Sequence, residues 1–154
     1  MKKIMIVCLS VFLLCACSGN TATKKPVELS AQNVIDKLAD KKQNSFLLYL
    51  TTEDCYTCDE YEKVVNELLK EDPFDIYYVS IDLNEDDAKV VAALNELNIT
   101  IGNFTELPMT FYFYQGALLP ENKKAGYIEK DDYREWLKGL HLMKWYNTYI
   151  QKKM

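Results

Sequence analysis

A short apolar run near the middle of the chain is the feature that most constrains its fold. Residues Phe46 to Leu50, FLLYL, lie between polar segments, and neither face of a strand formed by them would be polar. A strand of this kind has to be buried on both faces, as the inner strands of a helix-covered sheet are. The pattern therefore predicts a strand at the centre of a sheet.

Strand and helix patterns alternate along the rest of the chain. Further strands are predicted at Val27–Leu29, as a short edge, and at Asp75–Asp82, Met109–Tyr114 and Ala117–Leu119. The first helix is predicted from Ala31 to Lys42 with Ser30 as N-cap, and the second around Tyr61–Leu69, ending before Asp72-Pro73. A third helix is predicted at Asp86–Leu97, with Val90, Val91, Leu94 and Leu97 facing inward. The last helix is predicted from Asp131 or Asp132 through Ile150. This order predicts an α/β sandwich with a mixed sheet.

The N-terminus, MKKIMIVCLSVFLLCACSGN, is typical of a secretory signal. Two lysines precede the apolar run Ile4–Leu14, which is too short to span a bilayer as a permanent helix. The run ends in LCAC, a sequence that resembles the lipobox of bacterial lipoproteins. The resemblance implies that residues 1–16 are a signal peptide and that Cys17 is acylated and anchored in the lipid bilayer. Residues 17–26 would form a polar, lipidated tether, while an ordinary signal peptide cut nearby is the alternative.

Each cysteine can be assigned a role once that N-terminal segment is set aside. Of the 5 in the chain, Cys8 and Cys15 leave with the signal and Cys17 carries lipid, so that Cys55 and Cys58 remain as thiols. An exported protein with one close pair is not a disulfide-stapled scaffold. Its stability must come from a packed core.

The charge of the chain disfavours one class of partner. The formal net charge is −5, and removal of the two N-terminal lysines makes the mature domain more acidic still. Nucleic-acid binding through a basic surface is therefore not expected. The acidic residues are spread along the chain, which is typical of a solvated surface.

The Cys-x-x-Cys pair follows the central strand and stands between two pairs of acidic residues. A zinc site would need four ligands, but the one histidine is His141, more consistent with a solvated or core-edge residue, and no second cysteine pair exists. No metal is expected. A structural disulfide and a working dithiol both remain open. The start of a helix would stabilise a thiolate at Cys55, and Cys58, one turn later and facing the core, could then attack a mixed disulfide.

Five segments in this order resemble the thioredoxin-fold family: FLLYL, TTEDCYTC, IYYVSID, the dipeptide Leu107-Pro108 before MTFYFYQG, and a last helix with Trp136-Leu137. The resemblance implies a thioredoxin-like three-layer α/β/α sandwich with a mixed central sheet, over residues 27–154 with an extended C-terminal helix. It implies a Cys55–Cys58 disulfide in the oxidised form. It also implies a cis bond before Pro108, with the backbone at Leu107 and Pro108 pairing with a client peptide.

Some positions depart from the family pattern. Asp54 stands where thioredoxins have tryptophan, Tyr49 where they have a buried carboxylate, and Tyr78 where they have a buried lysine. About four additional residues, Ile101–Phe104, precede the Leu107-Pro108 turn. The sequence is more similar to extracytoplasmic thioredoxin-like lipoproteins, including accessory proteins of bacteriocin transport, than to cytosolic thioredoxin.

These features together predict an extracytoplasmic, lipid-anchored thiol-disulfide oxidoreductase of the reductase or isomerase type. Cys55 would attack and Cys58 would resolve, with client disulfides as substrates, a membrane or extracytoplasmic thiol as electron donor, and no cofactor. A Gram-positive surface is favoured by the resemblance. The alternative is a non-catalytic interaction module that serves export or bacteriocin machinery. The aromatic tail with Trp145, Tyr146 and Tyr149 would either meet a membrane interface or pack on the domain.

Overall fold

The computed structural model describes residues 24–40 and 45–143. Five strands and four helices occur in these ranges: β1 (Val27–Glu28), α1 (Ala31–Ala39), β2 (Phe46–Thr52), α2 (Tyr56–Glu71), β3 (Ile76–Ile81), α3 (Ala88–Ile101), β4 (Met109–Tyr114), β5 (Ala117–Ala125) and α4 (Lys130–Gly139). The predicted alternation of strands and helices is confirmed.

The strands form one mixed sheet in the order β1-β3-β2-β4-β5. The first three strands are parallel, and β4 and β5 are antiparallel to their neighbours. Leu50 lies opposite Val79 on one side and Met109 on the other, so β2 occupies the centre of the sheet. Phe46 to Leu50 are all buried, as predicted for a strand covered on both faces.

Each face of the sheet has its own core because successive side chains of a strand point in opposite directions. Leu47 and Tyr49 of β2 face α2 and α4, within a cluster rich in tyrosine. Leu48 and Leu50 face α1 and α3, within an aliphatic and phenylalanine cluster. Complete burial of each leucine stabilises the fold by about 1.5–3 kcal/mol. The molecule is thus a three-layer α/β/α sandwich, as predicted.

The inward face predicted for α3 is correct for Leu97, which is fully buried, and for Leu94, which packs against the core, but it is wrong for the first turn. Val90 and Val91 are 41% and 36% exposed, whereas the buried residues are Ala93, Leu97 and Ile101. Asp87 caps the helix by accepting from the backbone N–H groups of residues 89 and 90. The buried stripe repeats every fourth residue from Ala93 to Ile101, and the first turn of the helix stays at the surface. Ile101 completes it, so part of the additional segment extends the helix.

The last helix also differs from the prediction. It begins at Lys130 after Glu129, with Asp131 and Asp132 in its first turn instead of at the cap, where their charges still favour the helix dipole. It ends at Gly139, and the chain reverses through His141 at φ +58°. The N–H of residue 142 binds the Leu137 carbonyl and that of His141 binds the residue 138 carbonyl, which is a Schellman ending. A continuous helix through residue 143 is therefore excluded.

The second strand of the hairpin is longer than predicted and continues to Ala125 through Pro120 and several charged residues. Because β5 is an edge strand, the missing N–H of Pro120 removes no necessary ladder bond. Gln115-Gly116 forms the predicted turn, with both residues at positive φ.

Several predictions fall on parts of the chain outside the described residues. The signal peptide, the acylated Cys17, most of the tether, and the aromatic tail with Trp145, Tyr146 and Tyr149 belong to them, so those predictions stand as made. Within residues 24–40 and 45–143, no helix is both long and apolar enough to cross a membrane.

Candidate redox site

The cysteine pair lies where the central strand meets the start of α2. Cys55 is the N-cap residue, and Cys58 lies in the first turn. The two are joined by a disulfide with an S–S distance of 2.05 Å and a Cα–Cα distance of 5.2 Å. The backbone N–H of Cys58 also donates to the sulfur of Cys55 at 3.2 Å. One N–H group of the helix start thus points to the sulfur on which a thiolate would form.

The two sulfurs differ in access to solvent. Cys55 is half-buried, whereas Cys58 is only 2% exposed. The Thr57 hydroxyl donates to the Cys55 sulfur at 3.4 Å from the exposed side. An incoming molecule can therefore reach Cys55 first, which is the asymmetry required of an attacking and a resolving cysteine.

The other two predicted site residues, Leu107 and Pro108, directly precede β4. The Leu107–Pro108 peptide bond is cis, the isomer that the resemblance implied, and Pro108 is buried. Two residues later, the buried Thr110 hydroxyl hydrogen-bonds that of Tyr61, one helical turn after Cys58. This bond ties the first turns of α2 to the start of β4. It links the element that carries the disulfide to the strand that carries Leu107 and Pro108.

Tyrosines occupy the core beside α2. Tyr49 and Tyr78 are direct neighbours on β2 and β3, and their rings stack with centroids 5.5 Å apart. Tyr49 also contacts Tyr61 at 5.5 Å. Burial raises the pKa of Tyr49 and of Tyr61, so both stay neutral through the ordinary pH range. Tyr49 and Tyr78 stand where the resemblance would place a buried carboxylate and a buried lysine, and they form a pair of stacked phenols instead.

The surface around Cys55 is acidic. Glu53, Asp54 and Asp59 are exposed and form no salt bridge among the described residues. Glu60 pairs with Lys63 at 2.6 Å, and that hydrogen bond raises the pKa of the lysine. These carboxylates oppose a thiolate at Cys55, while the helix start supports it.

A shallow cleft of about 290 Å³ lies beside the disulfide. Its walls are Tyr56, Thr57 and Glu60 from α2 and Tyr127 from the segment after β5. Sequence reasoning did not identify Tyr127, because the residue is remote from the cysteines in the chain. The adjacent Gly126 shows how the fold brings Tyr127 to this place, since its φ is +75° and its N–H donates to the Pro108 carbonyl at 2.8 Å.

Metal ligands are not grouped in the part of the chain that the structure describes. No three histidine, cysteine, aspartate or glutamate side chains in these ranges come together as a metal site. His141 lies in the chain reversal after α4, so the structure does not bring it into the first turn of α2.

Known proteins resemble this chain in structure but not detectably in sequence. No protein-family model matches the sequence, and no curated protein matches it either. The fold is similar to that of thioredoxin f2 from Chlamydomonas reinhardtii, with 12% identity, a TM-score of 0.58, and coverage of 77% of this chain and 99% of that one.

Two further thioredoxins are similar to this chain in structure. Thioredoxin O2 from Arabidopsis thaliana in its oxidized state is 19% identical, with a TM-score of 0.52 and coverage of 74% of this chain and 92% of that one. Thioredoxin from Aeropyrum pernix is 16% identical, with a TM-score of 0.52 and coverage of 73% and 84%. Identities this low establish the architecture alone. The chain has the thioredoxin fold.

Proposed function

We propose that this protein is an extracytoplasmic thiol-disulfide oxidoreductase, anchored to the membrane by lipid at Cys17, that reduces or isomerises disulfides of client proteins. Cys55 is the attacking residue and Cys58 the resolving one. The backbone at Leu107 and Pro108 holds the client chain beside them. The observation that carries the proposal is the unequal access of the two sulfurs in a disulfide at the start of α2.

The reaction is thiol-disulfide exchange and balances without a cofactor. In the reduced protein, the Cys55 thiolate attacks one client sulfur, and the other client sulfur leaves as a thiolate that takes up a proton. Cys58, once deprotonated, attacks the Cys55 sulfur and releases the client's second thiol. Two electrons pass to the client, and the Cys55–Cys58 disulfide remains.

The direction of electron flow follows from the charges around the site. The helix start stabilises the Cys55 thiolate, but the neighbouring carboxylates destabilise it, and a less stable thiolate makes the dithiol more reducing. We therefore assign the reductase or isomerase direction. A membrane-bound or extracytoplasmic thiol donor restores the dithiol by the same exchange in reverse.

Trapping of clients tests the proposal. Cys58→Ser keeps the attacking thiol but cannot resolve, so cell extracts should show high-mass, reductant-sensitive adducts on a non-reducing gel. Cys55→Ser is the matched control and should show none, since the remaining thiol is buried. The wild type should reduce a model disulfide. Absence of adducts with both variants, together with an inactive wild type, would overturn the proposal.

One observation favours a second candidate. Tyr49 takes the place of the carboxylate that would accept the proton of Cys58, and because burial raises the pKa of this phenol, it keeps its own proton near neutral pH and cannot accept another. A domain without such a base could serve export or bacteriocin machinery as an interaction module with a permanent disulfide. Inactivity toward a model disulfide, with a stable folded domain, is the result that this candidate requires.

A further inference from the structure

One residue that lines the cleft also contacts the reacting sulfur. Thr57, which lines it, donates its hydroxyl to the sulfur of Cys55 at 3.4 Å. The opposite wall is Tyr127, next to Gly126, whose N–H is bonded to the Pro108 carbonyl. A client whose sulfur reaches Cys55 therefore has this cleft within reach of a neighbouring side chain.

The lining of the cleft combines aromatic rings with a carboxylate. Tyr56 and Tyr127 are 77% and 39% exposed, although tyrosine usually covers its ring when packing is available. Glu60 contributes a carboxylate to the same lining. Two phenol faces and one negative charge attract a cation through both cation–π and ionic interactions.

Further carboxylates surround the same cleft. The Tyr127 hydroxyl donates to Glu129 at 3.4 Å, and a carboxylate oxygen of Glu106 lies 2.7 Å from the position that a Cβ would take at Gly126. Lys63 is the cation paired with Glu60, and this exposed pair is weak and easily exchanged. The charge of the walls is thus complementary to a positively charged ligand.

We propose that the cleft binds a lysine or arginine side chain adjacent to the client cysteine, so that the enzyme selects disulfides in a cationic sequence context. The inference rests on the proposed function and adds the substrate class to it. The client's ammonium or guanidinium group lies between Tyr56 and Tyr127 and exchanges with Lys63 at Glu60. The exchange chemistry at Cys55 and Cys58 is unchanged.

Peptide disulfides test the selection directly. The full-length protein is first reduced with a dithiol, and the excess reagent is removed. Single-turnover reduction is then measured with three peptides that differ only at the residue beside the cysteine: lysine, leucine or glutamate. The lysine peptide should react about fivefold faster than the leucine peptide and more than about tenfold faster than the glutamate peptide at low salt.

Matched variants locate the effect in the cleft. Tyr127→Leu and Glu60→Gln should each reduce the preference for lysine at least about twofold. Tyr114→Leu removes an exposed tyrosine at the far end of β4, and Glu62→Gln removes a charge from α2 outside the cleft. Both should retain the preference of the wild type.

The outcomes separate this inference from the function on which it rests. Equal rates for the three peptides, or a preference for leucine, would overturn the cationic selection while leaving the oxidoreductase intact. The same holds if Glu62→Gln weakens the preference as much as Glu60→Gln, because net acidity alone would then explain it. Failure of the wild type to reduce any peptide would overturn the proposed function, and this inference with it.

Discussion

At the residue scale, buried tyrosines distinguish this core. Tyr61 and Tyr133 are both fully buried, with ring centroids 5.5 Å apart. The Tyr61 hydroxyl bonds Thr110, whereas that of Tyr133 has no hydrogen-bond partner among the described residues. A satisfied buried hydroxyl contributes to stability, but an unsatisfied one costs free energy. Two phenols of the same core thus have opposite effects.

The contrast between Tyr61 and Tyr133 predicts that the same substitution, tyrosine to phenylalanine, changes the free energy of unfolding differently at the two positions. Tyr61→Phe should lower the free energy of unfolding by about 1–2 kcal/mol, because it leaves the buried Thr110 hydroxyl without its partner. Tyr133→Phe should leave it unchanged to within about 0.5 kcal/mol or raise it. Denaturant unfolding of the two variants measures both. An equal loss would show that Tyr133 also makes a stabilising hydrogen bond.

The same residues predict how stability depends on alkaline pH. Burial raises the pKa of Tyr49, Tyr61 and Tyr133 in the folded state. Their contribution to the free energy of unfolding is complete below the pKa of tyrosine in the unfolded chain, near 10. It is lost as the pH rises above that pKa, because only the unfolded chain then releases these protons. Each of the three tyrosines should lower the free energy of unfolding by about 1.4 kcal/mol per pH unit in that range.

The measurement is the free energy of unfolding between about pH 9 and about pH 11. Tyr61→Phe removes one of the three phenols and should make the decline with pH shallower. A decline as steep as that of the wild type would mean that Tyr61 titrates alike in both states.

At the scale of elements, α2 sets the reactivity of Cys55. Asp59 lies in its first turn and is exposed, close to the sulfur at the N-cap. Its charge opposes a thiolate, so Asp59→Asn should lower the pKa of the Cys55 thiol in the reduced protein. Alkylation of Cys55 at neutral pH should become about twofold faster. Glu62→Gln, one turn further along, is the matched control and should change the rate little. Equal acceleration would assign the effect to net charge.

The elements also show what sequence patterns can determine. The strand FLLYL and the stripe on α2 were predicted because each pattern is compatible with one arrangement only. The run Val90 to Leu94 in α3 contains apolar residues on several sides, so the pattern alone does not decide which of them faces the sheet. The hairpin strand is predicted only to Leu119, whereas β5 continues through Pro120, which an edge strand tolerates because it needs no ladder bond from the missing N–H.

At the scale of the whole molecule, the site combines one local and several distant features. The cysteine pair at the start of a helix is encoded within a single stretch, which is why its position followed from sequence. The cleft requires Tyr127 to reach α2, and the link between Tyr61 and Thr110 joins α2 to β4. Contacts of this kind arise only when the sheet brings distant segments together, so the sequence alone did not reveal them.

Independence of the anchor from the folded domain gives the last prediction. The described fold begins its sheet at Val27, after the polar tether proposed for residues 17–26, so no core residue depends on acylation. Cys17→Ala should therefore move the protein from the membrane fraction or leave an unprocessed precursor, while the free energy of unfolding changes by less than about 0.5 kcal/mol. Cys8→Ala removes a cysteine from the predicted signal and leaves Cys17, the proposed acylation site, in place, so this variant should fractionate like the wild type. If Cys17→Ala is processed and partitions as the wild type does, Cys17 is not the anchor.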